Sequence, residues 1–177
     1  MLPIVQVGDP VLRATAAPVV PSELAGLANL IIEMRDTMRD APGVGLAAPQ
    51  IGKSLALAVI EDAPVLHKNL SAEELAARER NAVPFHVIVN PTITPVGEEM
   101  VEAYEGCLSF KGFVMIVPRH RSVRVECLDE HGQPRVIEAS GWYARILQHE
   151  IDHLNGVVCI DRAKTRTLST NENHGKF

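Results

Sequence analysis

The chain has 177 residues, enough for one domain with its own core, and 22 acidic residues against 17 lysines and arginines give a formal net charge of −5. This acidic balance disfavours a nucleic-acid-binding surface, and without a run of about 18 apolar residues no membrane helix is expected. Three cysteines without paired spacing indicate a reducing compartment and no disulfide framework.

The chain organisation predicts a single domain over residues 1–177, because the sequence contains no internal repeat and no low-complexity linker. The N-terminus has neither the basic and apolar regions of a secretory signal nor an Arg/Ser-rich transit peptide. We therefore expect a cytoplasmic protein. An organellar protein whose transit peptide had been removed would have the same sequence.

The first predicted element is an amphipathic helix that opens at Ser22 and stops at residues 41–43, which read Ala-Pro-Gly. Its apolar positions recur at helical spacing: Leu24, Leu27, Leu30, Ile31, Met34 and Met38. Residues 43–50 follow as a predicted loop of small residues that ends in a side-chain amide, Gln50. Such a loop suits either the close approach of backbone to a ligand or a tight connection to the next strand.

Short strands are predicted next, at residues 54–60, 85–90, 100–104, 114–117, 122–128, 135–138 and 157–160. Residues 61–80 are charged and predict a solvated insertion with a short surface helix, and the polar tail after Arg162 is expected to fray. The predicted fold class is α+β: a largely antiparallel sheet of short strands packed around a C-terminal helix, with the N-terminal amphipathic helix beside it.

The C-terminal helix contains the sequence His-Glu-x-x-His at residues 149–153. Positions i and i+4 share one helix face, so His149 and His153 can bind one metal ion through their imidazoles. Glu150 lies beside that face, where its carboxylate can handle a proton of water without being a ligand. Ser140 is the predicted N-cap of this helix. The alternative is an amphipathic core helix whose histidines only pack.

A catalytic metal with two histidine ligands needs a third protein ligand and an open position. Cys107 is the candidate, because it lies between Gly106 and Leu108 at a break in the strand pattern. Cys127 and Cys159 lie in apolar strand patterns and are expected to be buried and inert.

Three motifs together resemble those of the peptide deformylase family. The chain has G-apolar-G-apolar-A-A-x-Q at residues 43–50, E-G-C-apolar-S at 105–109 and Q-H-E-apolar-D-H at 148–153, in the family's order. The resemblance extends over about residues 4–165. The Ala-Pro-Gly before the first motif, the charged insertion and residues 139–142 are most similar to the subgroup found in plant and animal organelles and in some bacteria.

The resemblance implies a role for each motif residue. Cys107, His149 and His153 match the metal ligands, and Glu150 matches the catalytic acid and base. Gln50 and the backbone N–H of Leu108 match the donors to the substrate carbonyl. Gly45 matches a backbone contact to the substrate, and Val44 and Trp142 are the other expected substrate-binding residues. Trp142 lies two helical turns before His149 and is therefore expected to line the pocket for methionine, the alternative being that it packs in the core. One divalent ion per chain is implied, Fe2+ by preference, although Zn2+, Ni2+ and Co2+ suit the same ligands.

The implied reaction is removal of the formyl group from N-formylmethionyl nascent peptides, with release of formate. For its partners we expect a transient contact with the ribosome, and neither a membrane nor a nucleic acid. The chain is expected to be a monomer or a homodimer. Many bacterial members have a Glu just before the first motif and an Arg five residues after the Ser of the second. Pro42 and Val114 occupy those places here, so this substrate-positioning pair is missing.

Two rival interpretations remain at this stage. A metallopeptidase would use the same His-Glu-x-x-His chemistry but leaves Cys107 and Gln50 unexplained. A structural zinc protein would need a fourth protein ligand, and the sequence offers no obvious one. Outside the ligand set, Glu105 and Asp152 are candidate supporting carboxylates. Asp152 is preferred for orienting a ligand or the neighbouring backbone, and a surface role is its alternative.

Overall fold

A computed structural model of the chain describes residues 1–174 and residue 176. Its helices are α1 (Ala28–Asp40), α2 (Ala72–Ala77), α3 (Gly141–Leu154), α4 (Cys159–Arg162) and α5 (Asn171–His174). Its strands are β1 (Gly45–Ala47), β2 (Leu57–Asp62), β3 (Val83–Pro95), β4 (Met100–Cys107), β5 (Phe110–His120), β6 (Ser122–Leu128), β7 (Pro134–Ser140) and β8 (Ser169–Thr170). Within the described residues, no helix is both long and apolar enough to cross a membrane.

The strands form two antiparallel sheets, one with the order β1-β2-β3-β6-β7 and the other with the order β4-β5-β8. Helices α1 and α3 cover opposite faces of the larger sheet. Successive side chains of a strand point to opposite faces, so Leu57 and Val59 of β2 pack in the α1 cluster, and Ala58 and Ile60 in the α3 cluster. The predicted α+β class with largely antiparallel strands is confirmed.

Strand β3 differs from the prediction because it continues through Pro91 instead of ending there. The register with β6 shifts between Val89 and Thr92, and Asn90 adopts a positive φ of 49°. This bulge accommodates a proline that has no N–H to donate. The Asn90 amide bonds to the N–H and the carbonyl of Val19, each at 2.8 Å, and so fixes the bulge to the N-terminal segment.

The C-terminal part corrects two other predictions. The predicted strand at residues 157–160 is wrong: Cys159 begins α4, and the Asp161 carboxylate accepts the Val158 N–H at 2.9 Å. The tail after Arg162 does not fray over its described length, because β8 extends the smaller sheet by pairing with β5.

The charged insertion is also better ordered than expected. Asp62 is buried and accepts two hydrogen bonds of 2.8 Å from Arg80, which closes the insertion at its base. The Arg78 carbonyl accepts the N–H of Trp142 at 3.0 Å. The guanidinium groups of Arg78 and Arg80 lie 5.5 and 5.1 Å from the Trp142 ring. The insertion therefore supports the first turn of α3.

Candidate metal centre

The three sequence motifs converge where β1, the turn between β4 and β5, and α3 meet. Residues 43–50, predicted to be a loop, contain the short strand β1 and a following 3-10 turn over Ala48–Ile51. Strand β4 continues through Cys107, and Leu108 and Ser109 form the two-residue turn to β5. Helix α3 begins after Ser140, as predicted, although the Ser140 side chain makes no capping hydrogen bond.

Cys107, His149 and His153 form the group that can hold a metal ion. Their ligand atoms all lie within 4.8 Å of one another, and the Cys107 Sγ is 3.3 Å from the His153 Nε2. A tetrahedral ion with bonds of about 2.3 Å to sulfur and 2.0 Å to nitrogen holds such a pair about 3.5 Å apart. The residues therefore fit a divalent ion, and within the described part of the chain the group has three members.

Glu105 determines which nitrogen of His149 faces this group. The Glu105 Oε2 lies 3.0 Å from the His149 Nδ1, so the other ring nitrogen, Nε2, is left for the metal. The expectation that Asp152 would orient a ligand in preference to Glu105 is wrong. Asp152 bonds instead to Arg119 and to Arg162, the latter at 2.6 and 2.7 Å.

Two buried arginines, which the sequence analysis did not single out, hold Glu105 in place. Arg119 donates to both carboxylate oxygens at 2.9 and 3.0 Å, and Arg145 donates to Oε1 at 2.6 Å. Burial acts to raise the pKa of Glu105, but the hydrogen bonds from His149 and Arg119 outweigh it and hold that pKa well below its usual range. The sequence did contain a signal for this pairing. Arg119 lies two residues after Val117 in an alternating strand pattern, so its side chain points inward like that of Val117, and a buried arginine is nearly always paired with an acid.

Glu150 is the buried carboxylate of the site. Only 3% of the residue is exposed, and its Oε2 has no hydrogen-bond partner among the described residues. Burial raises the pKa of Glu150 to about 7 even though the neighbouring His149 acts to lower it. An unpaired buried oxygen is costly in a protein interior, so this carboxylate is a candidate functional group of the site.

Gly45 makes room for that carboxylate. A Cβ atom at Gly45 would lie 2.2 Å from the Glu150 Oε1 and 2.5 Å from its Cδ. The backbone of β1 can approach Glu150 this closely only because Gly45 has no side chain. The glycine at position 45 of the small-residue segment is thus explained by the close approach of the backbone to the Glu150 carboxylate.

Gln50 is held so that its NH2 group faces the metal ligands. Its Oε1 accepts the Ala47 N–H at 2.9 Å, which assigns the opposite end of the amide as the donor. The Nε2 lies 3.3 Å from the Ser109 Oγ and 3.7 Å from the Cys107 Sγ. The amide is 2% exposed and has one orientation available.

Cys159 is a second thiol beside the site. The sequence analysis expected it to be buried and inert and did not predict that it would neighbour Cys107. Hydrogen bonding to Cys159 and burial raise the pKa of the Cys107 thiol, whereas the Ser109 N–H acts to lower it. A cation beside Cys107 favours the thiolate, since coordinating thiols are deprotonated. Cys127 is buried in the α3 cluster, as expected for an inert cysteine.

A pocket of about 800 Å3 opens onto these groups. It is lined by Gln50, Cys107, Leu108, His149 and Glu150, and also by Val44, Gly45 and Trp142. His153 lies behind them with 1% of its surface exposed. The structure thus brings the sequence-predicted residues together: all but His153 line the cavity, and His153 is buried next to Cys107 and His149. Pro42 and Val114 line the same pocket.

A Cys-His-His set with three protein ligands, next to a buried carboxylate and an oriented amide, defines a metal-dependent hydrolase. A closed structural zinc site would need a fourth ligand, which the described residues do not supply.

Comparison with known proteins identifies the family. The sequence model of polypeptide deformylases matches residues 1–169, and the chain belongs to this family of hydrolases, which remove N-formyl groups from peptides. It is 50% identical over 174 residues to "Peptide deformylase 3" of Streptomyces avermitilis, covering 97% of this chain and 75% of that protein. It is 40% identical to the human "Peptide deformylase, mitochondrial" over 168 residues, covering 94% of this chain and 69% of that protein.

A solved structure shows the same fold. A class I type b peptide deformylase from Acinetobacter baumannii, determined with Met-Ala-Ser bound, matches with a TM-score of 0.79 and 33% identity. The match covers 92% of this chain and 98% of that one.

Gly45→Ala tests the close approach of β1 to Glu150. The added methyl group collides with the carboxylate, so we expect a loss of kcat of about 100-fold, the size of a general acid/base contribution. Gly26→Ala is the matched control, because a Cβ atom there meets nothing within 4 Å. Steady-state kinetics of the two folded variants decides the matter, and near-normal turnover by Gly45→Ala would show that the position of Glu150 is not critical.

Proposed function

We propose that this chain removes the formyl group from N-formylmethionyl peptides with one metal ion held by Cys107, His149 and His153. The observation that supports this most directly is the position of the unpaired Glu150 carboxylate oxygen, buried beside the ligand group and lining the same pocket as Gln50. When bound, a divalent ion in this pocket supplies a Lewis acid that polarises the formyl carbonyl and activates water. Fe2+ is the proposed native ion, and Zn2+, Ni2+ and Co2+ suit the same ligands.

Glu150 is the proposed proton carrier. Its carboxylate takes a proton from the attacking water and gives it to the amine that leaves as formate is released. Burial keeps this carboxylate away from competing solvent, and the closeness of Gly45 limits it to one position.

Gln50 and the Leu108 N–H are the proposed donors to the formyl oxygen. The Gln50 NH2 group is already turned toward Cys107, so no reorientation is needed when negative charge develops on that oxygen. Leu108 lies in the turn between β4 and β5, where its N–H stands outside the strand ladder. A well-placed donor of this kind contributes about 3–4 kcal/mol to the transition state.

Strand β1 is the proposed binding edge for the peptide backbone. Within the described residues it pairs with β2 alone, and Val44 and Gly45 line the pocket on its other side. An extended peptide can add to such an edge through main-chain hydrogen bonds. The methionine side chain then lies toward Trp142, which lines the pocket while its ring packs against the α3 core cluster.

The wider setting is also a proposal. We propose that residues 1–177 act as one catalytic domain, on nascent chains as they leave the ribosome, with only transient ribosome contact. The compartment proposed is the cytoplasm. Both bacterial and mitochondrial relatives exist, so the organelle is the alternative. The proposed oligomeric state is a monomer or a homodimer, and neither a membrane nor a nucleic acid is proposed as a partner.

The reaction is tested with formyl-Met-Ala, acetyl-Met-Ala and unblocked Met-Ala-Ser. We expect formate from the first, little reaction of the second and no cleavage of internal bonds in any, because the acetyl methyl group needs space that the Gly43–Gly45 backbone does not leave. Formate detection reports deformylation, and mass spectrometry of the peptides reports any cleavage of internal bonds. Internal cleavage without formate would instead establish a metallopeptidase, and no reaction by metal-loaded, folded protein would indicate a structural site.

Glu150→Gln tests the proton carrier. The amide keeps the shape of the side chain but cannot take a proton, so kcat should fall by at least about 100-fold while metal content stays normal. Metal analysis and formate release are measured on the same sample. Normal turnover with normal metal content would show that another group moves the proton.

Cys107→Ser tests the ligand set. A serine hydroxyl stays protonated beside a metal where a thiol does not, so stoichiometric metal binding should be lost. Cys127→Ser is the matched control, because Cys127 lies in a different cluster from Cys107. Metal content is measured after equilibration with Zn2+. Equal metal in both variants, or loss in the control alone, contradicts the assignment.

A further inference from the structure

The C-terminal strap, defined here as residues 164–174, is attached along the free edge of β5. The Lys164 N–H donates to the Ile116 carbonyl at 2.9 Å, and the Ile116 N–H donates to the Thr167 Oγ1 at 2.9 Å. Strand β8 then pairs Ser169 with Val114. The strap thus follows β5 toward the metal centre as an additional strand of the smaller sheet.

The strap also forms part of the pocket wall. Asn171, the first residue of α5, lines the pocket that contains Cys107 and Glu150. The His174 ring packs on the Tyr104 ring with their centroids 4.1 Å apart, and Tyr104 lines the same pocket. Tyr104 and Phe113 remain 37% exposed there, and so offer an apolar surface between the metal ligands and the strap.

The distance from the metal centre to the strap follows from strand register. Gly106, next to the ligand Cys107, is opposite Val114, and Val114 is opposite Ser169. Two strand spacings therefore separate Gly106 from Ser169, which is about 10 Å. An extended peptide covers about 3.3 Å per residue, so about three residues span the distance from Gly106 to Ser169.

The Asn171 side chain suits a peptide backbone as its partner. It is exposed, and none of the described residues forms a hydrogen bond with its amide. A carboxamide can donate to a carbonyl and accept from an N–H at once, which are the two groups that each peptide unit offers.

We propose that Asn171 is a binding residue for the part of the substrate beyond the formylmethionine, at about its third residue. The inference rests on the proposed deformylase reaction and extends it to peptide length. Through this contact the enzyme would have a higher kcat/KM for chains longer than a dipeptide. The N-terminus of a protein that is still being synthesised is such a chain. If the strap only closes the edge of the smaller sheet, its removal affects stability but not the preference for longer peptides.

The test compares Asn171→Ala with the wild type on two amidated substrates, formyl-Met-Ala and formyl-Met-Ala-Ser-Ala. Asn173→Ala is the matched control: the same change on the same helix, at a residue that does not line the pocket. We expect Asn171→Ala to lower kcat/KM for the longer peptide by about three- to tenfold, through KM, as the loss of one hydrogen bond does. The value for formyl-Met-Ala should stay within about twofold.

The two substrates separate this proposal from the reaction on which it rests. Formate release from formyl-Met-Ala by the wild type reports on the reaction, and its absence would overturn the proposed function. The ratio of the two kcat/KM values reports on Asn171. An unchanged ratio in Asn171→Ala, or an equal change in Asn173→Ala, would overturn the proposed contact, and a thermal unfolding midpoint for each variant shows whether the strap is only structural.

Discussion

The hydrogen bonds of the buried Glu105 carboxylate are the interaction on which the candidate metal centre depends. It accepts hydrogen bonds from Arg119 of β5, and from Arg145 and His149 of α3, and so ties the smaller sheet to the helix that carries the histidines. A carboxylate at 6% exposure is stable only with such partners, and removal of one partner from a buried ion pair costs about 3–5 kcal/mol. The rotation of His149 toward Cys107 is therefore a consequence of a charge network rather than of the helix alone.

A second constraint is the space between β1 and α3. Gly45 allows the strand to lie against Glu150, and the Ala47 N–H fixes the Gln50 amide on the same side. The Glu150 carboxylate and the Gln50 amide, the proposed proton carrier and oxyanion donor, are thus both held by one short segment of three strand residues and a 3-10 turn. Because both groups are buried and held by packing, the geometry is set before substrate binds, as preorganised electrostatic stabilisation requires.

The remaining cleft wall comes from parts of the chain that sequence patterns assigned to the surface. The insertion places two guanidinium groups on Trp142, and the strap brings Asn171 to the pocket. Neither segment has strong hydrophobic periodicity, so each is ordered by hydrogen bonds and ion pairs with distant residues. Such contacts leave no pattern in the local sequence. They therefore could not be predicted from residues 61–80 or from the C-terminal residues alone.

The sequence by itself determined the α+β class and an amphipathic helix before Gly43, and its motifs named the candidate site residues, because helical periodicity and the 149–153 spacing are local properties of the chain. The predicted start of that helix at Ser22 is wrong, since residues Pro21–Leu27 form a 3-10 helix and the α-helix begins at Ala28. The sequence did not determine that β3 passes Pro91, that Glu105 and not Asp152 holds His149, or that residues 159–162 are helical. Only the tertiary structure decided these points: a bulge depends on the partner strand, and a buried ion pair depends on which charges fold together. The assembly of Cys107 with His149 and His153 is likewise a product of the fold, since 41 residues of chain lie between Cys107 and His149.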